Sequence, residues 1–465
     1  MNYVNDKIEN IKIAYIGGGS RSWAWGLMSD LVSADDISGD VYLYDIDYEA
    51  AKHNEIIGNK FNKAEGAKSE WTYYAVETID KALCGADFVI ISILPGTFDE
   101  MESDVHTPEK YGIYQSVGDT TGPGGIVRAM RTVPMYEEIA ENIKKYCPDA
   151  WVINYTNPMT ICVKTLYRVF PEIKAFGCCH EIFGTQKFLA KIVEQKLGIE
   201  NIEREEIKVN PVSVNHFTWL TEAKYRNIDL YPYYAEFCAK HKDGYLEEGF
   251  EDGGWLNRFF EEAKKVKMDL FNKFGVIAAA GDRHLAEFCE GKWYLESPER
   301  VNEMCFGLTP VSWRKNSFMK SRLERSERLR NGEEEVKIEL TGEEGVNQIR
   351  ALLGLNELVT NINIPNLGQI PNLPIGAVVE TNAILRSNSM TPVFAGEIPK
   401  SIYPLVARAC GEQEMLSEAI AQRDVEKIFM VFANDPLVTC GIEKAREMFD
   451  EMCENTKEYL SSYNL

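Results

Sequence analysis

The segment that most constrains this fold is the passage from Ile11 to the helical pattern that opens at Trp23. Ile11-Lys12-Ile13-Ala14-Tyr15-Ile16 reads as a short apolar strand, the chain breaks at Gly17-Gly18-Gly19, and a helix pattern runs to about Val32. A strand feeding a helix through a glycine turn is the opening unit of a doubly wound sheet. The unit then repeats. Val41-Tyr42-Leu43-Tyr44 is a second strand ending in Asp45-Ile46-Asp47, followed by a helix over 49–62 and a strand over 71–75. The apolar run 86–93 has the character of a central parallel strand buried on both faces, and 151–155 and 173–177 are further strands separated by helices. The expected class is α/β: an N-terminal Rossmann-type doubly wound parallel sheet over 8–195, then a C-terminal α+β domain over 196–465. The charge-rich segment 324–345 reads as a solvated helix or linker.

Bulk properties narrow the partners. A chain of 465 residues exceeds one ordinary core, so two packed lobes are expected. Hydrophobic residues at 45% and charged residues at 26% indicate a globular protein rather than a disordered one. A net charge of −22 opposes binding to nucleic acid or an anionic membrane, but leaves room for a locally basic pocket. The start, Met1 to Lys7, lacks the apolar core of a signal peptide, and no apolar run approaches a membrane span. Eleven scattered cysteines then read as reduced thiols, and a cytoplasmic location is expected.

Gly17-Gly18-Gly19-Ser20-Arg21-Ser22 matches G-x-G-x-x-G with serine in the third glycine position. Between a strand and a helix, such a turn leaves backbone N–H groups free to hold a pyrophosphate. Asp45, at the end of the second strand, is placed to accept from a ribose diol, and its charge would repel a 2′-phosphate. The expected cofactor is therefore NAD, held by Gly17, Gly18, Gly19, Ser20, Arg21, Asp45 and Asp47, with Pro95 after the apolar strand.

Four further stretches stand out together: Gly118-Asp119-Thr120-Thr121-Gly122-Pro123-Gly124-Gly125, Asn154-Tyr155-Thr156-Asn157-Pro158, Gly177-Cys178-Cys179-His180-Glu181 and Val214-Asn215-His216. With the glycine turn they resemble glycoside hydrolase family 4 over nearly the whole chain. The stretches 177–184, 215–219 and 281–288 are most similar to its bacterial α-galacturonidases. The resemblance implies bound NAD, a divalent metal (usually Mn) and a C-terminal domain that serves catalysis and oligomerisation, in a homodimer or homotetramer. It also implies a small uronic saccharide as substrate. The implied route oxidises the sugar at C3, removes the proton at C2 and eliminates the aglycone, in place of two-carboxylate glycoside hydrolysis.

By position in the family pattern, Cys179 and His216 correspond to the metal ligands, while Cys178 reads as structural. Asn157 matches a substrate contact, and Asp119 could bind sugar or position a base. Asp282 matches the C2 base of α-acting members, and His180 takes the place directly after the metal cysteine, making it, with Glu181, a candidate acid. A uronic carboxylate calls for a guanidinium. Arg283 leads, with Arg128 and Arg131 behind it, and His284 could serve the same end. The alternatives are an α-glucuronidase or α-galactosidase of the same family and, in other classes, a 2-hydroxy-acid dehydrogenase or a NAD-sensing regulator.

Overall fold

The structure is a computed structural model that describes residues 1–4, 6–246, 255 and 258–465. Its strands are β1 (Asn2–Val4), β2 (Lys7–Ile16), β3 (Ile37–Tyr44), β4 (Trp71–Val76), β5 (Phe88–Ile91), β6 (Trp151–Asn154) and β7 (Lys174–Gly177) in the first half of the chain. The second half supplies β8 (Ile207–Val212), β9 (Trp219–Tyr225), β10 (Ile228–Asp229), β11 (Ile277–Ala278), β12 (Leu358–Pro365), β13 (Val378–Arg386) and β14 (Ser389–Pro392).

A ten-stranded sheet runs in the order β14-β13-β12-β7-β6-β5-β2-β3-β4, with β1 paired to β2. From β4 to β7 the pairing is parallel throughout. The period-two alternation of each strand feeds two separate cores. Ile13, Tyr15, Phe88 and Ile90 face one layer with Trp25 and Met28, whereas Ala14, Ile16, Val89 and Ile91 face the other with Tyr136, Ile139 and Ala140. Between β2 and β5 the winding changes direction, which opens a crevice at the carboxyl ends of the strands.

The division expected at residue 195 falls inside the helix Glu181–Leu197. Moreover, β12, β13 and β14 extend the same sheet, antiparallel, through the pairing of Asn363 with Gly177. The two halves thus share one sheet, because pairing across nearly two hundred residues leaves no local pattern. The segment 324–345 is likewise no linker. The helix Met319–Asn331 packs Leu329 against the first core, and Lys60 Nζ donates to the carbonyls of Leu329 at 2.5 Å and Arg330 at 2.8 Å. Among the described residues, no helix is long and apolar enough to cross a membrane.

A second, antiparallel sheet joins β8, β9, β10 and β11. Its β8–β9 connection and the chain leaving β11 both carry residues of the site.

Candidate active site

The glycine turn is built as its sequence requires. Gly17 has φ +91°, and a Cβ there would lie 2.0 Å from the Ser92 carbonyl oxygen; one on Gly18 would meet Leu43 Cα at 2.8 Å. Buried Asn54, silent in the sequence reading, donates to the carbonyls of Gly18 at 2.8 Å and Ser20 at 2.9 Å and accepts from Trp25 Nε1. Asp45 closes the turn, accepting from the N–H groups of Gly19 at 2.8 Å and Asp47 at 2.9 Å. Burial pushes its carboxyl up despite those bonds. Asp47 caps the helix Tyr48–Phe61 through the Ala50 N–H and lies 3.7 Å from Arg21. Two features fit a pyrophosphate. The helix Trp23–Ser33 has no acid in its first turn and no cap from Ser22, Ser20 Oγ alone accepting from the Trp23 N–H at 3.2 Å, and among the described residues Arg21 Nε is buried without a partner. Pro95 is buried in the turn after β5, where Thr156 Oγ1 accepts from the Ile93 N–H.

The second constellation gathers three distant segments. Asp119, His216 and His284 each bring one donor atom within 4.8 Å of the others. His216 sits on the β8–β9 connection in the left-handed region, with φ +66°. Its ring lies against that of His284, centroids 3.9 Å apart. Thr120 Oγ1 is 2.7 Å from Asp119 Oδ1 and 2.9 Å from His216 Nδ1. A threonine hydroxyl has one proton, which an ionised Asp119 must receive, so Thr120 accepts from His216 Nδ1–H. The imidazole is thereby held in the tautomer whose Nε2 carries a free lone pair. Burial, then the neighbouring His284, depresses His216 to about 3, so the ring is neutral, as a metal ligand must be.

Burial acts to raise the Asp119 carboxyl, but His284, Arg128 and His216 outweigh it and hold it well below the usual carboxylate range. Asn157 Nδ2 donates to Asp119 Oδ2 at 3.2 Å, and Arg128 Nε holds the Asn157 carbonyl at 3.1 Å, across a cis Asn157–Pro158 bond. Asn157 Oδ1, Asn215 Oδ1 and His284 Nδ1 are buried without partners among the described residues. Two imidazoles, an ionised carboxylate and orphaned polar atoms around them fit a divalent cation.

Cys179 lies beside this convergence rather than in it. Burial raises its thiol well above the ordinary value, and the Asn215 side chain and the Glu181 N–H contact it. Cys178 points the other way, into the first core, where Gln348 Nε2 donates to its sulfur at 3.3 Å. Beneath Cys179, the buried Glu380 accepts from Thr218, from Asn361 at 3.0 Å, and from Asn215 and Asn363; Asn361 also donates to the Cys179 carbonyl. Glu181 accepts from the Gly281 N–H at 2.7 Å and stands 3.7 Å from His284. His180 sits at the N-cap of the helix Glu181–Leu197, half-exposed, 3.0 Å from Glu343, whose hydrogen bond raises its pKa. Its ring is 6.0 Å from Trp23, itself 5.9 Å from Tyr155, so these rings link the glycine turn to the second constellation.

The short helix Asp282–Glu287 carries three of the expected site residues, Asp282, Arg283 and His284. Asp282 is fully buried and is not one of the three converging donors. Its oxygens accept from the N–H groups of Val266 and Lys267, both at 3.0 Å, which caps the helix Lys265–Phe274. Each of its oxygens thus commits one lone pair to a backbone N–H. His284, expected to serve a substrate carboxylate, instead stands in the trio. Glu287, within the stretch 281–288 but given no role there, accepts from Val117 N–H at 2.7 Å and Gly118 N–H at 3.0 Å and so holds the Asp119 loop; burial pushes its carboxyl up to about 8. Arg283 is anchored through Nη2 to the Ser116 carbonyl and to Thr309 Oγ1 at 3.0 Å. Arg131 is bound by both its terminal nitrogens to buried Asp104, at 3.0 and 2.6 Å, and is unavailable to a substrate.

Comparison with known proteins follows the same residues. The family model for the family 4 glycosyl hydrolases matches residues 12–195, and that for their C-terminal domain matches residues 212–438. The chain is 58% identical over 468 residues, the full length of both proteins, to an alpha-galacturonidase of Thermoanaerobacterium saccharolyticum. It is 52% identical to an alpha-galacturonidase of Bacillus subtilis, covering 96% of this chain and 98% of the relative. The crystal structure of a 6-phospho-alpha-glucosidase from gut microorganisms, in complex with NAD and Mn2+, shares the fold with TM-score 0.77 at 20% identity, over 97% of this chain and 99% of that one.

Proposed function

The chain belongs to glycosyl hydrolase family 4, and from that premise we propose that it releases α-linked galacturonic acid with the help of NAD and a divalent metal, Mn being the favoured ion. It is a glycoside hydrolase; the substrate is read from the full-length relatives of 52–58% identity that carry this activity. One observation supports the redox route over acid–base hydrolysis. The latter needs a carboxyl of raised pKa turned toward the glycosidic oxygen. Here the raised carboxyls near the site are engaged, those of Asp282 and Glu287 by backbone N–H groups and that of Glu380 by Thr218 and three asparagines, while Asp119 and Glu181 are held below the ordinary carboxylate range.

The glycine turn with Asp45 and Arg21 would hold the dinucleotide, and His216, His284 and Asp119, with Cys179 alongside, would hold the ion. Bound there, the two supply reversible hydride acceptance at sugar C3 and positive charge that acidifies the neighbouring hydroxyls and C2–H. Asp119, ionised and fixed by Thr120 and Asn157, would complete the ligand set that holds the ion against the sugar. Asn157 presents its unpartnered Oδ1 to a sugar hydroxyl. His180, half-exposed and with its pKa raised by the hydrogen bond to Glu343, is the group placed to donate to the departing oxygen. Arg128, braced against the Asn157 carbonyl, keeps the loop of Asp119 and the turn of Asn157 in one piece. Eleven cysteines in no disulfide and a net charge of −22 accord with a cytoplasmic enzyme, and we expect a homo-oligomer.

The test is hydrolysis of an α-galacturonide in D2O with NAD+ and Mn2+. The product should carry deuterium at C2, a bond that acid–base hydrolysis never breaks. Asp119→Asn should abolish the exchange, whereas Asp282→Asn should lower the melting temperature and leave exchange per folded molecule largely intact. Product without solvent deuterium at C2 excludes the elimination route.

A further inference from the structure

On the premise of a uronic substrate, the structure also indicates how its carboxylate is read. Arg283 is already anchored through Nη2 to Ser116 and Thr309, and its Nε is buried without a partner. It supplies fixed charge but not a free fork. Arg314, which no sequence motif marks, lies beside it: the guanidinium carbons of Arg283 and Arg314 stand 5.1 and 5.0 Å from the centroid of the same ring, Phe260. Arg314 is half-buried, and among the described residues it meets neither a carboxylate nor a hydrogen-bond acceptor.

Its backbone is held from both sides. Arg314 opens a π-helical turn, Arg314–Phe318, an uncommon conformation that clusters at functional sites. Lys315 pairs with Asp99 and, at 2.9 Å, with Glu102 on the helix Phe98–His106. On the other side, Trp313 packs on Phe259, Phe260 and Phe318. The lysine of this segment is therefore committed and the arginine is not. Burial, then the like charge of Arg283, brings Arg314 down to about 10, with Asp119 and Arg128 also within its field. Two guanidiniums at one ring, with no anion between them among the described residues, favour an incoming carboxylate, and Arg314 has the donors to bind it bidentately.

We propose that Arg314 is the specificity-determining residue for the uronic carboxylate, with Arg283 as its fixed electrostatic support. The experiment compares matched aryl α-galacturonide and α-galactoside on the NAD+- and Mn2+-loaded enzyme, for wild type, Arg314→Met and Arg314→Lys. Arg314→Met should lower kcat/KM on the galacturonide by at least about tenfold, chiefly through KM, while the galactoside value changes by less than about threefold. Arg314→Lys, which keeps the charge but not the fork, should fall between; it decides the question by the same ratio if the methionine variant does not fold. A wild type that prefers the galacturonide alongside variants that keep the full preference would overturn the role of Arg314 and leave the substrate reading standing. A wild type that prefers the neutral galactoside would overturn both.

Discussion

Replacing Thr120 with valine tests the logic of the site most directly, because it removes one hydroxyl and almost no volume. In the structure that hydroxyl is 2.7 Å from Asp119 and 2.9 Å from His216 Nδ1, and it fixes which imidazole nitrogen keeps a lone pair. In Thr120→Val the buried Nδ1–H loses its acceptor, which costs about 1–3 kcal/mol. The ring can recover part of this by moving its proton to Nε2, but that nitrogen then ceases to be a ligand. Either way the loss falls on metal affinity. With about 1.4 kcal/mol per decade, Kd for Mn2+ should rise roughly 10- to 100-fold, the range found for partners that orient metal-bound histidines. Titration calorimetry or water-proton relaxation on NAD+-loaded protein reads this directly. Thr120→Ser, which restores the hydroxyl, should return to within about threefold of wild type. Turnover of Thr120→Val should recover at excess Mn2+. A valine variant that binds Mn2+ within about twofold of wild type would refute the tautomer argument.

Two further outcomes follow from the same geometry. Asp45→Arg removes the carboxylate that holds the Gly19 and Asp47 N–H groups and adds a cation, so NAD+ should bind more weakly and discrimination against NADP+ should relax; fluorescence titration with both dinucleotides checks this, and unchanged discrimination would contradict it. Glu287 is held up to about 8 by burial, so the stability of its neutral form is present at low pH and is lost as pH rises from the ordinary carboxylate range, about 4.3, through that value. Wild type should therefore lose more melting temperature than Glu287→Gln between about pH 5 and pH 9, and parallel loss in both would count against a raised carboxyl.

What the sequence determined by itself is what short-range chemistry dictates. A strand, three glycines and a helix start within the thirteen residues from Ile11 to Trp23 leave few foldings, and the parallel strands fell where the pattern put them, with Asp45 directly after one of them. The stretches around Asp119, Asn157, Cys179 and His216 marked the walls of the site. Which atoms meet inside those walls was a tertiary matter. Asp282 and His284 are two residues apart on one short helix, so about 200° of rotation separates their side chains and only one of them can face the trio. Nothing local says which. The helix Lys265–Phe274 decides it, because its N-terminus needs the acceptors that Asp282 supplies. Thr120, Asn54, Glu287 and Glu380 act through bonds to segments 96, 36, 169 and 162 residues away, and a polar residue, isolated or inside a marked stretch, carries no signature of such a partner. Arg314 was hidden for the same reason: its marks are an unspent guanidinium and a shared aromatic ring, which come into being only when the chain has folded.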